Sequence, residues 1–445
     1  MSRERLKRID MTERIPTPYF LLDEPILQRY FDMLTEALKE NWPNYRIGYS
    51  FKTNSLPWLV NFYKKQGAYA EVVSRDEYGL AKYLGFQDSE IVYNGPYKDE
   101  QSFRDVVLAG GYVNLDSKWE LEWLTKLSEE YRRQLEELKK ELEEEKILTD
   151  SSGNGEAGRE KKTRENGKVS EVSEIRVGIR VNFNLEQMCP GETTMGETSG
   201  RFGFSYENGE FAKALSYVRA LPHVRVTGLH LHSSSKSRSV QIFRSIAQMA
   251  CRLKREFDLT LSYVDIGGGY CGGMEGRPEY PDYFPAIAEE LHREFDQEQT
   301  QLVVEPGISL ISKGSFFVTS VIDVRDIRDT RYLITDGSRF NIDATMIKSS
   351  YLYHTKLQNP SASVMDRQEI TGYTCMECDR LFTMENLPEL QTGDQIIYEN
   401  VGGYTISLNP LFIQYFPAVY VRNGEQMTEV RRKWTAKEYV QGNIW

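Results

Sequence analysis

Two hydrophobic periods alternate between about residues 25 and 310. Short apolar runs rich in β-branched and aromatic residues recur as YRIGYSF, AEVVS, EIVYNG, YVNLDS, EIRVGIRVNF, RVTGLHLHS, LSYVDIGGG and QLVVEPG. Between them lie stretches whose apolar residues return every three or four positions, such as SVQIFRSIAQMACRLKREF and YFPAIAEELHREFDQE. Eight strands alternating with helices predict an α/β fold, a (β/α)8 TIM-like barrel, with a doubly wound open sheet as the alternative. From about residue 311 the texture changes. SFFVTSVIDVRDIRD, RYLITDG, DQIIYENV and FPAVYVRNGE read as strands joined by turns, an antiparallel β domain following the barrel. TPYFLLDE, in the opening segment, is also strand-like. The expected organisation is a barrel over 25–310 and a β domain formed by 1–24 and 311–445.

One stretch follows neither pattern. Leu124, Leu127, Tyr131, Leu135, Leu138 and Leu142 make one apolar stripe on a helix otherwise dense in Glu, Lys and Arg. The helix runs into LTDSSGNGEAGREKKTRENGKVSEVSE, which has almost nothing to bury and predicts a solvated, flexible loop. Residues 143–173 therefore read as a charged insertion, not as a binding element.

Composition narrows the partners. With 445 residues, 40% of them apolar, the chain can bury a substantial core and form two domains. A formal charge of −11 with no basic face argues against nucleic acid and for a small-molecule substrate. No run approaches the roughly 18–20 apolar residues of a membrane span, and MSRERLKRIDMTERIP lacks the apolar segment of a secretory signal. No membrane association and a cytoplasmic location are expected. The odd set of five cysteines suits a reducing compartment better than a disulfide framework. Cys375 and Cys378 form a CxxC without a second pair at ligand spacing, so a zinc or redox site is only a rival reading.

In a barrel, chemistry gathers at the C-terminal ends of the strands. Lys52 follows the first run, His230 and His232 end the sixth, Gly267, Gly268 and Gly269 follow the seventh, and Glu305 the eighth. A lone lysine reads first as a solvated one. A lysine, two histidines, three glycines and a glutamate facing one pocket do not read as packing. Consecutive glycines leave backbone N–H groups open to a phosphate, although a tight turn uses them equally well. A phosphate site beside a desolvated lysine points to pyridoxal phosphate, whose aldehyde an activated amine condenses with. The histidines share strand parity; as a metal pair they lack a third ligand in the sequence, so no metal is expected and stacking on a flat ring is the better reading. Glu305, ahead of a rigid Pro306-Gly307 turn, suits a protonated pyridine nitrogen, with a structural ion pair as the alternative.

YSFKTN, EVVSRDE, TSGRFGF, GLHLHSSS, DIGGGY, EPG, TCMECD and GGYT occur in that order. With these motifs the chain resembles the fold-type III pyridoxal-phosphate decarboxylases, the group containing diaminopimelate, ornithine and arginine decarboxylases, over nearly its whole length outside the insertion. The resemblance implies that Lys52 holds the cofactor as an internal aldimine and that His232 stacks on its ring. It assigns the phosphate to Ser235, the Gly267, Gly268 and Gly269 loop and Tyr404, the pyridine nitrogen to Glu305, and a place below the ring to Arg180. Cys375 matches the proton donor that a partner subunit contributes, and Asp379 the acid that follows in the same loop. Two complete sites then require a homodimer. The implied reaction passes through an external aldimine, loses the α-carboxylate and ends when Cys375 protonates the carbanion, its thiol still protonated near neutral pH because an ordinary thiol pKa is about 8.5.

Three positions depart from the family's pattern. Ile308 follows EPG where an arginine usually contacts phosphate or carboxylate, a charge that Arg238 or Lys236 would have to replace. Met376 follows the cysteine where an acid reads the distal amine, with Glu377 one step on. SLNPLF stands where the family has an aromatic-Asn-Gly pattern. Glu377 and Asp379 remain the candidate substrate contacts, in a pocket less polar than that of a diamine enzyme. The expected activity is that of a decarboxylase of a small amino acid, closest to the diaminopimelate branch through TSGRFGF and GLHLHSSS. That branch attacks a D-configured centre, so D-lysine and D-ornithine are alternative substrates. An amino-acid racemase on the same barrel is a further alternative, although such racemases use a tyrosine where this chain has Cys375. A non-catalytic homologue is the third, and retention of Lys52, Glu305 and Cys375 speaks against it.

Overall fold

The structure is a computed structural model that describes residues 7–9, 15–151 and 174–444. Eight parallel strands, Tyr45–Ser50, Tyr69–Ser74, Ile91–Tyr97, Tyr112–Leu115, Ile175–Asn182, Val224–His230, Tyr263–Asp265 and Gln301–Val304, close on themselves. The eighth pairs with the first, Val304 opposite Ile47, and the fourth with the fifth, Leu115 opposite Ile179. The sheet is therefore the barrel and not the open alternative. Helices cover its outer face and side chains fill its interior, so these strands are mostly apolar, with single polar residues pointing inward. Ile91 to Gly95 are all buried.

Local chemistry sets where the covering helices begin. Ser74 accepts from the Glu77 N–H at 3.2 Å, and Glu77 accepts from the Val73 N–H at 2.9 Å, so the SRDE of the second motif starts helix Arg75–Tyr83. Ser239 caps helix Val240–Glu256 by accepting from Ile242 N–H at 3.3 Å. Ile242, Ile246, Ala250 and Leu253 then bury one face of that helix.

Helix Lys118–Ser151 both covers the barrel and extends past it. Leu124, Leu127 and Tyr131 are buried, whereas Leu135 and Leu138 are only half-buried. Part of the expected loop is thus helical, because residues 143–151 continue in a run of strong helix formers. The expectation for 152–173 falls outside the described residues.

The second sheet has ten strands around the long Ser315–Ile327, which pairs with Tyr19–Asp23, Thr330–Thr335 and Gln395–Glu399. It is mostly antiparallel, not wholly so. Tyr19–Asp23 runs parallel to Ala418–Asn423, and Thr330–Thr335 parallel to Val364–Thr371. The strand-like opening segment is therefore built into this sheet. Asp23 joins the two parts: it caps helix Glu24–Asn41 through Ile26 N–H at 3.1 Å and accepts from Arg422 Nε at 2.8 Å. One apolar core includes Phe31 and Tyr63 beside the barrel and Phe20, Phe317 and Tyr398 of the second sheet. Among the described residues, no helix is long and apolar enough to cross a membrane.

Candidate active site

Lys52 lies just past the first strand, in a turn tied to the second sheet. Ser407 Oγ donates to the Lys52 carbonyl at 3.0 Å, the Tyr404 N–H to Thr53 O at 2.8 Å, and Asn54 Nδ2 to Gly402 O at 3.0 Å. The EPG turn packs on the same segment, since a Cβ on Gly307 would overlap Thr53. Lys52 Nζ meets Glu71 Oε2 at 2.5 Å. Glu71 ends up inside because it points inward from an otherwise apolar strand, where it also accepts from Ser50 Oγ at 2.8 Å. Burial works to lower the Lys52 pKa, but the charges of Glu71 and Glu305 outweigh it and hold the amine above its ordinary value. The expected activation of this amine by desolvation is therefore reversed here, because two carboxylates stand beside it.

Glu305 is buried across the pocket and accepts from Asn94 Nδ2. Burial, then the charge of Glu71, pushes its carboxyl up to about 7. Its neighbours are His230, with Nε2 at 3.7 Å, and Asp265, which accepts from Gly267 N–H at 2.8 Å. Burial and the charge of Glu305 also raise Asp265. His230, Asp265 and Glu305 have ligand atoms within 4.8 Å of one another, but this is not a third ligand for the two histidines. His232 stands outside that cluster.

His232 Nδ1 accepts from Gly268 N–H at 3.3 Å. A neutral imidazole results, its pKa pushed down to about 3 by burial and then by the charges of Arg180 and Lys52. A Cβ on Gly267 would lie 2.5 Å from the same ring, and one on Gly268 would overlap the Glu305 carbonyl. Gly267 and Gly269 have φ of 70° and 101°, in the left-handed region that glycine alone enters freely. Nothing stands within 4 Å of where a Gly269 side chain would begin, so its backbone borders open space.

The remaining expected residues divide. Arg180 is buried with Nη1 2.8 Å from Asp116 Oδ2, and its guanidinium covers the Phe202 ring of TSGRFGF at 4.8 Å. Ser235 accepts from Arg238 N–H at 2.9 Å in the loop after the sixth strand. Tyr404 is exposed, next to the Lys52 turn, at a φ of 55°. A Cβ on Gly403 would lie 2.7 Å from Ile308 Cγ1, so Ile308 packs on the GGYT turn instead of offering a charge. Cys375 and Cys378 are free and exposed on the loop between Val364–Thr371 and Arg380–Pro388. Glu377 is exposed and paired with Arg380 at 3.1 Å. Asp379 turns into its own domain, where it accepts from Ser338 Oγ at 3.0 Å, Arg339 N–H at 2.9 Å and Thr374 Oγ1 at 2.7 Å. Its carboxylate is committed to holding the cysteine loop. Glu71, Asn94, Asp116 and Asp265 were not singled out from the sequence; the available signal was a polar residue inside an apolar parallel strand or at its end.

These groups fit an aldehyde cofactor with a phosphate and a basic ring nitrogen. An amine faces a buried carboxylate, a flat neutral ring lies beside it, and a glycine turn borders space that side chains would close. The protein is thus of the pyridoxal-phosphate barrel class. The sequence pattern described as "Pyridoxal-dependent decarboxylase, pyridoxal binding domain" matches residues 29–157 and 160–312. More than half the chain is covered, and the chain belongs to that family of fold-type III, pyridoxal-phosphate-dependent carboxy-lyases. Diaminopimelate decarboxylase of Aquifex aeolicus is 22% identical, over 90% of this chain and 85% of that protein. The crystal structure of diaminopimelate decarboxylase from Methanocaldococcus jannaschii superposes with a TM-score of 0.76 at 20% identity, covering 97% of this chain and 93% of that one. A second structure of that enzyme, in co-complex with L-lysine, gives 0.75 at 20% identity over 96% and 92%.

Proposed function

We propose that this enzyme removes the α-carboxylate of a small amino acid in the manner of diaminopimelate decarboxylase, within a homodimer whose subunits share active sites. The observation that carries the reading is the convergence of Lys52, His232, the Gly267–Gly269 turn and Glu305 on one barrel mouth. Lys52 would hold the cofactor covalently, and Glu71, which pairs with the Lys52 amine, would hold a proton there. His232, neutral and planar, would pack against the cofactor's ring. Gly267, Gly268, Gly269, Ser235 and Tyr404 would hold the phosphate, Glu305 would pair with the pyridine nitrogen, and Arg180 would support the ring. Pyridoxal phosphate, when bound, supplies a ring that withdraws the electron pair left by the departing carboxylate. Cys375 of the partner subunit then delivers a proton from Sγ to Cα. Asp379 keeps that cysteine loop in shape, and Glu377, exposed and paired with Arg380, is the acid of that loop that would meet a substrate.

Ile308 and Met376 stand where the family usually carries an arginine and an acid, so neither position offers a charge to the substrate's far end. The test is carbon dioxide release from L- and D-lysine, ornithine, diaminopimelate and arginine, run in heavy water. Carbon dioxide with one deuterium at Cα is expected for at least one of them. Deuterium exchange at Cα without carbon dioxide would make the protein a racemase and end this reading.

A further inference from the structure

Beneath the Lys52 amine, the barrel interior holds a chain of hydrogen bonds that no role above uses. The Tyr263 hydroxyl donates to Asn114 Oδ1 at 2.8 Å, and Asn114 Nδ2 donates to Asn94 Oδ1 at 2.8 Å. Asn94 Nδ2 in turn donates to Glu71 Oε1 at 3.3 Å and to Glu305 Oε1. All five side chains are buried, and they come from the second, third, fourth and seventh strands and the residue after the eighth. Space for the tyrosine is made by Gly178 and Gly228, where a Cβ would overlap its ring or hydroxyl.

The chain has a direction. Ionised carboxylates only accept, so the amide NH2 groups point upward toward Glu71 and Glu305, and Asn114 presents its oxygen downward to the Tyr263 hydroxyl, which donates. Asn94 is then oriented the same way, and both of its N–H bonds reach carboxylates. Glu71 and Glu305 carry like charge in a buried site, and the charge of Glu71 raises Glu305. A neutral amide that donates to both favours the two anions without adding a charge of its own. The other charged or titratable groups facing this pair are Lys52, Arg180, His230, His232, Asp265, Glu77, Tyr263 and Tyr270.

We propose that Asn94 is a positioning residue: oriented by Asn114 and Tyr263, it clamps the carboxylate at the lysine end of the cofactor to the carboxylate at the ring-nitrogen end, so that protonation at the two ends is set together. The inference rests on the roles read above for Lys52 and Glu305. It deepens them by adding a group that touches neither substrate nor cofactor.

The test uses the cofactor-loaded enzyme and two variants, Asn94→Ala and Tyr263→Phe. The readout is the pH midpoint of the visible absorbance of the bound cofactor, followed alongside circular dichroism. Without the amide donors both carboxylates hold negative charge less well, and a cation beside them is favoured less. The midpoint is expected to move to lower pH by about one unit in Asn94→Ala, the scale of one hydrogen bond to a charged group, and by less in Tyr263→Phe. kcat should fall with KM little changed. A folded Asn94→Ala whose midpoint matches wild type overturns the clamp, and where Asn94→Ala does not fold, a wild-type midpoint in a folded Tyr263→Phe overturns the oriented chain on which the clamp depends. In that outcome the chromophore persists and the reading of Lys52 stands, whereas a wild type with no lysine-linked chromophore overturns both.

Discussion

Glu305 shows how far one residue's surroundings change its chemistry. Burial and the neighbouring Glu71 raise its carboxyl to about 7, against an ordinary value near 4.5. A cofactor whose ring nitrogen carries a proton supplies the missing cation, so the fold stores an electrostatic demand that binding satisfies. The cofactor-free protein should reveal that demand. A carboxyl raised in the folded state contributes stability below its unfolded pKa and loses it as pH rises through the folded one. Between pH 5 and pH 8, cofactor-free wild type should lose on the order of 3 kcal/mol relative to Glu305→Gln, measured as the difference between their denaturant unfolding curves. His230 and His232, lowered by burial, act in the opposite sense at lower pH and are present in both proteins, whereas Asp265, whose carboxyl burial and then the Glu305 charge raise, is relieved in Glu305→Gln and adds to the difference in the same sense. A difference that does not change with pH would mean that Glu305 is ionised in the cofactor-free fold. Residues of this kind were half legible. Glu305 stands out beside Pro306-Gly307, whereas the partners that shift it, Glu71, Asn94 and Asp265, are single polar letters inside AEVVS, EIVYNG and LSYVDIGGG. Their meaning lies in contacts across strands, which one strand's pattern does not encode.

Elements were more legible than residues. Strands buried on both faces are mostly apolar, so eight short, largely apolar runs marked the barrel. Parallel pairing in the second sheet left no such mark: Tyr19–Asp23 lies beside Ala418–Asn423, a partner almost the full chain away. Helix Lys118–Ser151 shows the limit of a periodic stripe, which continues in sequence after the barrel surface that it packs on has stopped. Two substitutions on that stripe separate the regimes. Leu127→Ala, on the buried part, should destabilise the protein by about 2–5 kcal/mol, because it leaves a cavity in a packed core. Leu138→Ala, on the half-buried part, should stay within about 0.5 kcal/mol of wild type. Chemical denaturation of both variants checks this, and equal costs would mean that the distal helix is covered by something besides the barrel.

At the scale of the whole molecule, the division of labour between the two sheets carries a prediction about assembly. Lys52 and its carboxylates belong to the barrel mouth, while Cys375 sits exposed on a loop that Asp379 anchors deep in the second sheet. A thiol held rigidly yet left open to its surroundings is suited to completing a neighbouring pocket. If each site takes Lys52 from one subunit and Cys375 from the other, Lys52→Ala and Cys375→Ala damage different halves of the same site. Each variant alone should lose about 10²-fold or more of its carbon dioxide release, and Cys375→Ala should keep the visible chromophore that Lys52→Ala lacks. After mixing, dissociation and reassociation, random pairing makes about half of the dimers hybrid, and one of the two sites in each hybrid holds both native residues. About a quarter of wild-type activity should therefore return. Sites contained within single subunits would give no recovery, since no chain in the mixture carries both residues, and a protein that sediments as a monomer at working concentration would remove the shared site altogether.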